Sequence, residues 1–470
     1  MIKFGTGGWR AIIGDEFIKS NIQLLSYAMC CKIKNEGVEN YPVVIGYDRR
    51  FLSKESMQWA AVVFAAEGIQ TLLVNKSSPT PLIMHYMMKH DMPYGMMVTA
   101  SHNPAIYNGI KVFTKGGRDA DEYQTADVER YIAQAEGQAV PEMEYSKAKE
   151  AGLIQEIYPL NDYLDDILAA VDIKAIRDAG LRVAIDPLYG VGDTSLKTIL
   201  MSARCDVFSI HDRHDTLFGS NLPAPNESTL RPLQNHVLDK GCDIGLATDG
   251  DADRIGIIDD KGRFLHPNDI LVLLYYYLVK YKGWHGPVVR NLATTHMLDR
   301  VAEAFGEKCY EVPVGFKYIS AKMSETDAIL GGESSGGLTV KGHIHGKDGV
   351  YAAALLVEMI AVAKKPLSRI YADIEAECGK IHMEERDYKF SVDKKIQMQK
   401  TLMEDKLLPE LPFDIDHVSY LDGCKVYFQN GGWVIARFSG TEPLLRIFCE
   451  MPLEEDAKKV IAIYEKFLEL

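Results

Sequence analysis

Five short segments of the 470-residue chain carry residue types that could do chemistry. The first is Thr99–Pro104, TASHNP, at the end of the apolar run Gly95–Thr99. A serine that follows a buried strand directly is exposed at the carboxyl end of a sheet, where α/β ligand sites form. Ser101 could there act as a nucleophile or carry a phosphoryl group. The plainer alternative is a turn capped by Ser101 and Asn103. The second segment is Asp249–Arg254, DGDADR, between the apolar runs CDIGLAT and IGIID. Carboxylates at 249, 251 and 253 repel one another unless a cation neutralises them, and an all-oxygen ligand set suits Mg²⁺ or Ca²⁺. An EF-hand does not fit, because its sixth position is Arg254, its twelfth is Asp260, and strands flank the segment. Arg254 adds the cation expected where a phosphate bridges metal and protein. The competing reading is a solvated hairpin turn.

The third segment is Gly331–Gly337, GGESSGG, in which glycines permit close approach while Glu333, Ser334 and Ser335 offer hydrogen bonds suited to sugar hydroxyls. A flexible Gly/Ser loop is the alternative. The fourth is Arg437–Arg446, RFSGTEPLLR, where an arginine, two hydroxyls and loop amides form a compact set of phosphate donors, or else an ST-turn capped by an arginine. The fifth, Phe4–Arg10 (FGTGGWR), is not a dinucleotide fingerprint: no strand precedes it and the third glycine is missing. Arg10 could reach a phosphate or simply end a glycine-rich arm.

The elements that must position these segments alternate between strand-like and helix-like runs, which points to α/β layers. Pro42–Tyr47, Thr71–Val74, Gly95–Thr99 and Gly109–Phe113 read as strands, and part of a polar stretch from Glu136 to Leu160 as a surface helix leading to a boundary. A second pattern runs from Leu181–Pro187 through Asp206–Ile210 to the pair Asp243–Ala247 and Ile255–Asp259. A third includes the helical run Pro267–Lys282, the strand Pro287–Val289 and the helix Gly349–Lys364. The tail differs: four strands, Tyr388–Val392, Lys425–Phe428, Trp433–Phe438 and Leu445–Glu450, with helices near Asp393–Asp405 and Glu454–Leu468, make an α+β unit. A small terminal unit of this kind usually meets its neighbours through a modest, mobile interface, so it is expected to act as a lid.

Composition narrows the function classes. The net charge of −14 argues against nucleic-acid or anionic-membrane partners. The longest apolar runs, Ile270–Val279 and Val350–Ala363, are too short to span a bilayer, and the second carries Glu358. The N-terminus lacks the apolar stretch of a secretory signal. Eight scattered cysteines without a CxxC form neither a disulfide framework nor a zinc site, and a cytoplasmic location is expected.

Taken in order, the five segments resemble the α-D-phosphohexomutase family, which includes phosphoglucomutases and phosphomannomutases, over essentially the whole chain. GYDRRFLS (Gly46–Ser53), PTP (Pro79–Pro81), YNGIKV (Tyr107–Val112), DPLYGVG (Asp186–Gly192) and VGFKYI (Val314–Ile319) are further family-like pieces. The resemblance implies four domains around a central cleft: three related α/β units with mixed sheets, at 1–157, 158–262 and 263–377, and a smaller α+β domain at 378–470. It implies a phosphoserine at Ser101 and a Mg²⁺ site made by Asp249, Asp251, Asp253 and a phosphoserine oxygen. Arg10, Lys111 and Arg254 would lie near the phosphoryl group, with Lys111 or His102 as general acid or base. Gly315 and Lys317 would lie in a sugar-discriminating loop, Glu333 and Ser335 would bind sugar hydroxyls, and Arg437, Ser439, Gly440 and Thr441 would grip the non-reacting phosphate. A hexose 1,6-bisphosphate is the implied intermediate and activator, in a monomer or homodimer. Two departures from common members, Arg10-Ala11 and Glu333-Ser334-Ser335, leave the sugar open: glucose first, mannose second, an amino sugar third. Outside the mutases, the competing classes are a metal-dependent sugar phosphatase and a sugar-phosphate binding protein without turnover.

Overall fold

The strand-like runs assemble into four separate sheets in the computed structural model, which describes residues 2–5, 8–439 and 443–470. The first sheet has eight strands. Across it run Phe4–Gly5, Gly8–Ile12, Tyr107–Thr114, Tyr94–Val98, Val43–Tyr47, Thr71–Val74 and Ile154–Ile157, with Arg118–Asp119 paired beside Tyr107–Thr114. Val43–Tyr47 is buried at every position, as a parallel strand covered on both faces must be. The second sheet orders Asp206–Ser209, Arg182–Asp186, Ile244–Thr248, Ile255–Ile258 and Phe264–Leu265. The third orders Cys309–Val312, Val288–Asn291, Leu330–Gly332 and Leu338–Val340.

One local arrangement recurs in these three mixed sheets. A strand pairs parallel with one neighbour, then turns back antiparallel as a hairpin. The pairs are Tyr94–Val98 with Tyr107–Thr114, Ile244–Thr248 with Ile255–Ile258, and Leu330–Gly332 with Leu338–Val340. The three hairpin loops contain Ser101, the aspartate triplet and Glu333 respectively. The repeat seen in the sequence as pattern alone is therefore a repeat of topology, and each chemical segment occupies the same topological place.

The fourth sheet is wholly antiparallel and orders His382–Lys389, Leu444–Met451, Trp433–Phe438, Cys424–Phe428 and Ile415–Ser419, with the helix Glu454–Leu468 against it. It has five strands, not the four expected. Ile415–Ser419 (IDHVS) is an exposed, polar edge strand without the apolar alternation that would betray it. The strand expected at Tyr388–Val392 lies earlier, because Ser391 caps a helix beginning at Val392 by accepting from Lys394 N. In the 136–160 stretch the helix is confined to Tyr145–Glu150. Ile154–Ile157 joins the first sheet as another polar edge.

Two helices, Pro267–Lys280 and Gly349–Ala363, are buried on nearly all sides at the centre of the molecule. That position, rather than a bilayer, explains their continuous apolar character. Glu358 within the second is paired with Lys282 Nζ at 2.8 and 3.0 Å and accepts from Asp172 N. Among the described residues, no helix is long and apolar enough to cross a membrane. The join between the third and fourth units is a packed seam rather than the modest contact expected. Trp433, Ile435 and Phe448 meet Leu292, Ala293 and Val314. Lys425, buried, donates to Leu292 O and Glu311 at 2.7 Å. A strand sequence tells which face is apolar, not which domain will cover it.

Candidate active site

The polypeptide at Ser101 is held in a costly shape. Its φ of +51° is left-handed, which costs a non-glycine residue about 1–2 kcal/mol. The surroundings over-determine it. Arg50, buried and paired with Asp48, donates from Nη2 to Ser101 O (2.7 Å) and Asn103 O (2.6 Å), and from Nη1 to Pro104 O and Tyr107 O (2.9 Å each). Asp48 in turn accepts from Thr99 Oγ1 at 2.6 Å and Ser53 Oγ at 2.8 Å. From the second unit Gly250 packs so close that a Cβ there would meet Ser101 O at 2.6 Å. Ser101 Oγ donates to Asp249 Oδ2 at 2.8 Å and lies 3.3 Å from His102 Nδ1.

The aspartate triplet fills the turn between Ile244–Thr248 and Ile255–Ile258. It is a hairpin turn, but a buried one rather than the solvated alternative. Asp249, Asp251 and Asp253 each bring a carboxylate oxygen within 4.8 Å of the others. The first unit supplies Thr80, whose Oγ1 and N bond Asp251 Oδ2 (2.6 Å) and O (2.9 Å). It also supplies Lys111, whose Nζ donates to Asp251 and Asp253 at 2.7 Å each. The third unit supplies Lys347, 3.0 Å from Asp253. Two buried oxygens, Asp251 Oδ1 and Asp253 Oδ1, have no hydrogen-bond partner. Buried carboxylate oxygens without donors are the ligands a hard divalent cation takes, so the cluster fits Mg²⁺.

The charges are unevenly shared. Burial and its two neighbouring aspartates push Asp249 well up from the usual carboxylate range. Burial presses on Asp253 in the same sense, but Lys111, Lys347 and Arg254 outweigh it and hold that group well down. Burial would lower the Lys111 ammonium; Asp251 and Asp253 overcome it, and the net direction is up. His102 is driven down by burial and then by Arg254 and Arg10, which keeps its imidazole neutral.

The remaining expected residues fall into two groups. Arg10, on the strand Gly8–Ile12, donates to Asn103 Oδ1 at 2.6 Å and so stands over the serine loop. Arg254 pairs across to Gly337, joining the metal loop to the GGESSGG turn. In that turn Gly336 takes φ +89° and donates to Glu333 O, and Ser335 Oγ lies 3.4 Å from Glu333 Oε2. Glu333 Oε1 accepts from Gly315 N at 3.1 Å and Asn291 Nδ2 at 3.3 Å. Lys317 departs from this group. It lies on the first turn of the helix Phe316–Thr326, not in a loop, and its Nζ meets Glu122 of the first unit at 2.5 Å. On the fourth unit Arg437 Nε donates to Asp422 at 3.0 Å, and Ser439 O accepts from Lys395 at 2.6 Å. Gly440 and Thr441 lie outside the described residues.

Sequence reasoning missed Asp48, Arg50, Thr80, Lys347, Asn291 and Asp422 as site residues. An aspartate and an arginine two residues apart, just after the buried run PVVIGY, were a usable signal for the first two, since buried charges must be paired. Lys347 and Asp422 carried none.

A strand-end serine, a buried carboxylate cluster and basic groups from three α/β units converge at one point, with an arginine on a fourth unit. That defines an α/β phosphoryl-transfer enzyme. Models of the phosphoglucomutase/phosphomannomutase α/β/α domains I, II and III match residues 1–139, 161–262 and 266–377, and the model of the C-terminal domain matches 393–464. A Thermococcus kodakarensis phosphoglucomutase/phosphomannomutase is 29% identical over 99% of this chain and 98% of its own. A Methanosarcina acetivorans protein named "probable phosphoglucosamine mutase" is 30% identical over 98% and 97%. The crystal structure of a "putative phosphomannomutase" from Thermus thermophilus superposes with a TM-score of 0.85 at 27% identity, covering 100% of this chain and 99% of that one. The chain belongs to the phosphoglucomutase/phosphomannomutase family and is a phosphohexomutase, an intramolecular phosphotransferase.

Proposed function

We propose that the enzyme interconverts hexose 1-phosphate and hexose 6-phosphate, preferring glucose and accepting mannose, through a phosphoserine at Ser101. The observation that carries this reading is the meeting of Ser101 with Asp249 and of Lys111 and Lys347 with the same aspartate cluster, while Arg437 stands apart on another unit. One end transfers a phosphoryl group; the other holds one already present.

In the transfer step a sugar hydroxyl oxygen forms a bond to phosphorus as the bond from phosphorus to Ser101 Oγ breaks. The hydroxyl proton passes to the lone pair of the His102 imidazole, and Oγ takes one up from the Lys111 ammonium, which has a proton to give and none to accept. Burial, Arg254 and Arg10 disfavour the His102 imidazolium, and the negative charge of a phosphoryl group on Ser101 would oppose them and favour acceptance. Arg10, Arg254 and Lys347 surround the transferred group with positive charge, which phosphoryl transfer needs more than covalent assistance. Mg²⁺ held by Asp249, Asp251, Asp253 and a phosphoserine oxygen would neutralise charge on the transferring group. The hexose 1,6-bisphosphate then reorients, so that Arg437, Ser439, Gly440 and Thr441 grip whichever phosphate is not reacting, while Glu333 and Ser335 hold sugar hydroxyls in both poses. Gly315 and Lys317 tune sugar choice.

Coupled assays run in parallel on glucose 1-phosphate, mannose 1-phosphate and glucosamine 1-phosphate are expected to give the highest kcat/KM for glucose. Glucosamine is the second reading, favoured by the name of the Methanosarcina relative. Net release of inorganic phosphate without isomerisation would sink the mutase reading. Arg437→Ala is expected to cost about 2–4 kcal/mol in kcat/KM, from loss of a charge-assisted contact to phosphate. At saturating substrate kcat should also fall in both directions; a kcat loss confined to one direction would rule out a shared distal site.

A further inference from the structure

The seam between the third and fourth units does more than hold them together. Asp422 lies in the turn between Ile415–Ser419 and Cys424–Phe428. Its Oδ2 accepts two bonds, from Arg437 Nε within its own unit and from Val314 N of the third unit, each at 3.0 Å. The next amide, Gly315 N, donates to Glu333 Oε1 at 3.1 Å. One short path therefore runs from the guanidinium of Arg437 through Asp422 and the Val314–Gly315 backbone to the carboxylate of Glu333. Because Asp422 takes Nε, the Nη groups of Arg437 are those left to address a phosphate in the two-pronged fashion of a guanidinium.

The other wall of the Glu333 pocket is tied to the fourth unit as well. Asn291 donates to Glu333, and Thr294 Oγ1 accepts from Ser334 N at 3.2 Å. The loop between 291 and 296 is gripped by Lys425 at Leu292 O and by Glu450 Oε1 at His296 N, 2.8 Å. Two loops that shape the sugar pocket thus hang on side chains of the phosphate-binding unit.

We propose that Asp422 is a positioning residue that couples occupation of the distal phosphate site at Arg437 to the geometry of the sugar-binding carboxylate Glu333. The inference rests on the roles proposed above for Arg437 and Glu333. A carboxylate fixing two donors at once transmits a shift of either, so phosphate drawn to Arg437 settles the Val314–Gly315 backbone and with it Glu333.

The test is a double-mutant cycle on Asp422→Asn and Glu333→Gln in the full-length enzyme, read as kcat/KM for glucose 1-phosphate. The amide oxygen can still accept from Val314 N, so the fold should survive, and a thermal melt checks it; what is lost is the negative charge that holds the Arg437 guanidinium to this oxygen. The expected result is that the fold-loss caused by Glu333→Gln shrinks by about fivefold or more in the Asp422→Asn background. Multiplying single effects would overturn the proposal. Hydrogen exchange with inorganic phosphate as the probe supplies an activity-free readout. Phosphate should slow exchange in peptides covering Arg437 and Gly331–Gly337 in the wild type, and only the former in Asp422→Asn. Protection of the Arg437 peptide alone in the wild type would overturn the coupling while leaving Arg437 as the phosphate site. Protection of neither would remove the phosphate role of Arg437, and the coupling with it.

Discussion

Ser101→Ala is expected to lower mutase turnover by at least about 10⁴-fold while leaving the fold intact, because no other described hydroxyl can take over a covalent role at this point. Ser101 is buried, in a left-handed turn, with its Oγ on Asp249 and its backbone carbonyl on Arg50. Alanine keeps every backbone bond of that turn and removes only the oxygen, so the melting temperature should move by a few degrees at most. Mass analysis of wild-type enzyme treated with hexose 1,6-bisphosphate should find one phosphoryl group in the peptide containing Ser101. Labelling at a different serine, with the alanine variant still active, would end the assignment.

The second large effect is expected at Asp251. Asp251→Asn should cut turnover by about 10²–10⁴-fold, as when a cation that neutralises transferring charge is lost. One oxygen of this carboxylate is held by Lys111 and Thr80, and the other is buried without a donor. The amide keeps the shape but removes one of the two carboxylates that oppose Lys111; Asp253, also 2.7 Å from Nζ, still pairs with the ammonium, so some stability is lost while the fold survives. A chelator on the wild-type protein separates the two effects. EDTA should abolish turnover without unfolding the enzyme, and added Mg²⁺ should restore it. Turnover indifferent to EDTA would contradict a metal role for the triplet.

The chemically important loops were legible because each begins where a buried apolar run stops. Met96–Val98 gives way to TASHNP and Leu246–Thr248 to DGDADR, and the hairpin partner follows within a dozen residues. Local contrast of this kind survives in a linear sequence. Illegible were the groups that complete each site from another unit. Thr80 reaches Asp251 across 171 positions, and Val314 reaches Asp422 across 108. Both lie in segments that resemble the family, PTP and VGFKYI, but nothing in those segments tells which distant residue they meet. Of the strands the sequence did not reveal, Ile154–Ile157 and Ile415–Ser419 are polar edges whose pairing is fixed by backbone and by the neighbouring strand, not by their own side chains. The resemblance implied a loop at Gly315 and Lys317; Gly315, at φ +135°, instead directly precedes the helix Phe316–Thr326, which carries Lys317 toward Glu122.

Arg50 grips the serine loop through four carbonyl oxygens and none of its side chains. Such a clasp is blind to residue identity. Ala105 and Ile106 lie inside the span it organises, and Ile106 is 58% exposed. The loop can therefore drift in sequence at these two positions while the serine stays where it is, whereas Arg50, remote in the chain and bound to no reacting group, is a position where even lysine, with one compact ammonium in place of a planar fork, cannot substitute. Mutational tolerance here follows the backbone map and not distance from the chemistry.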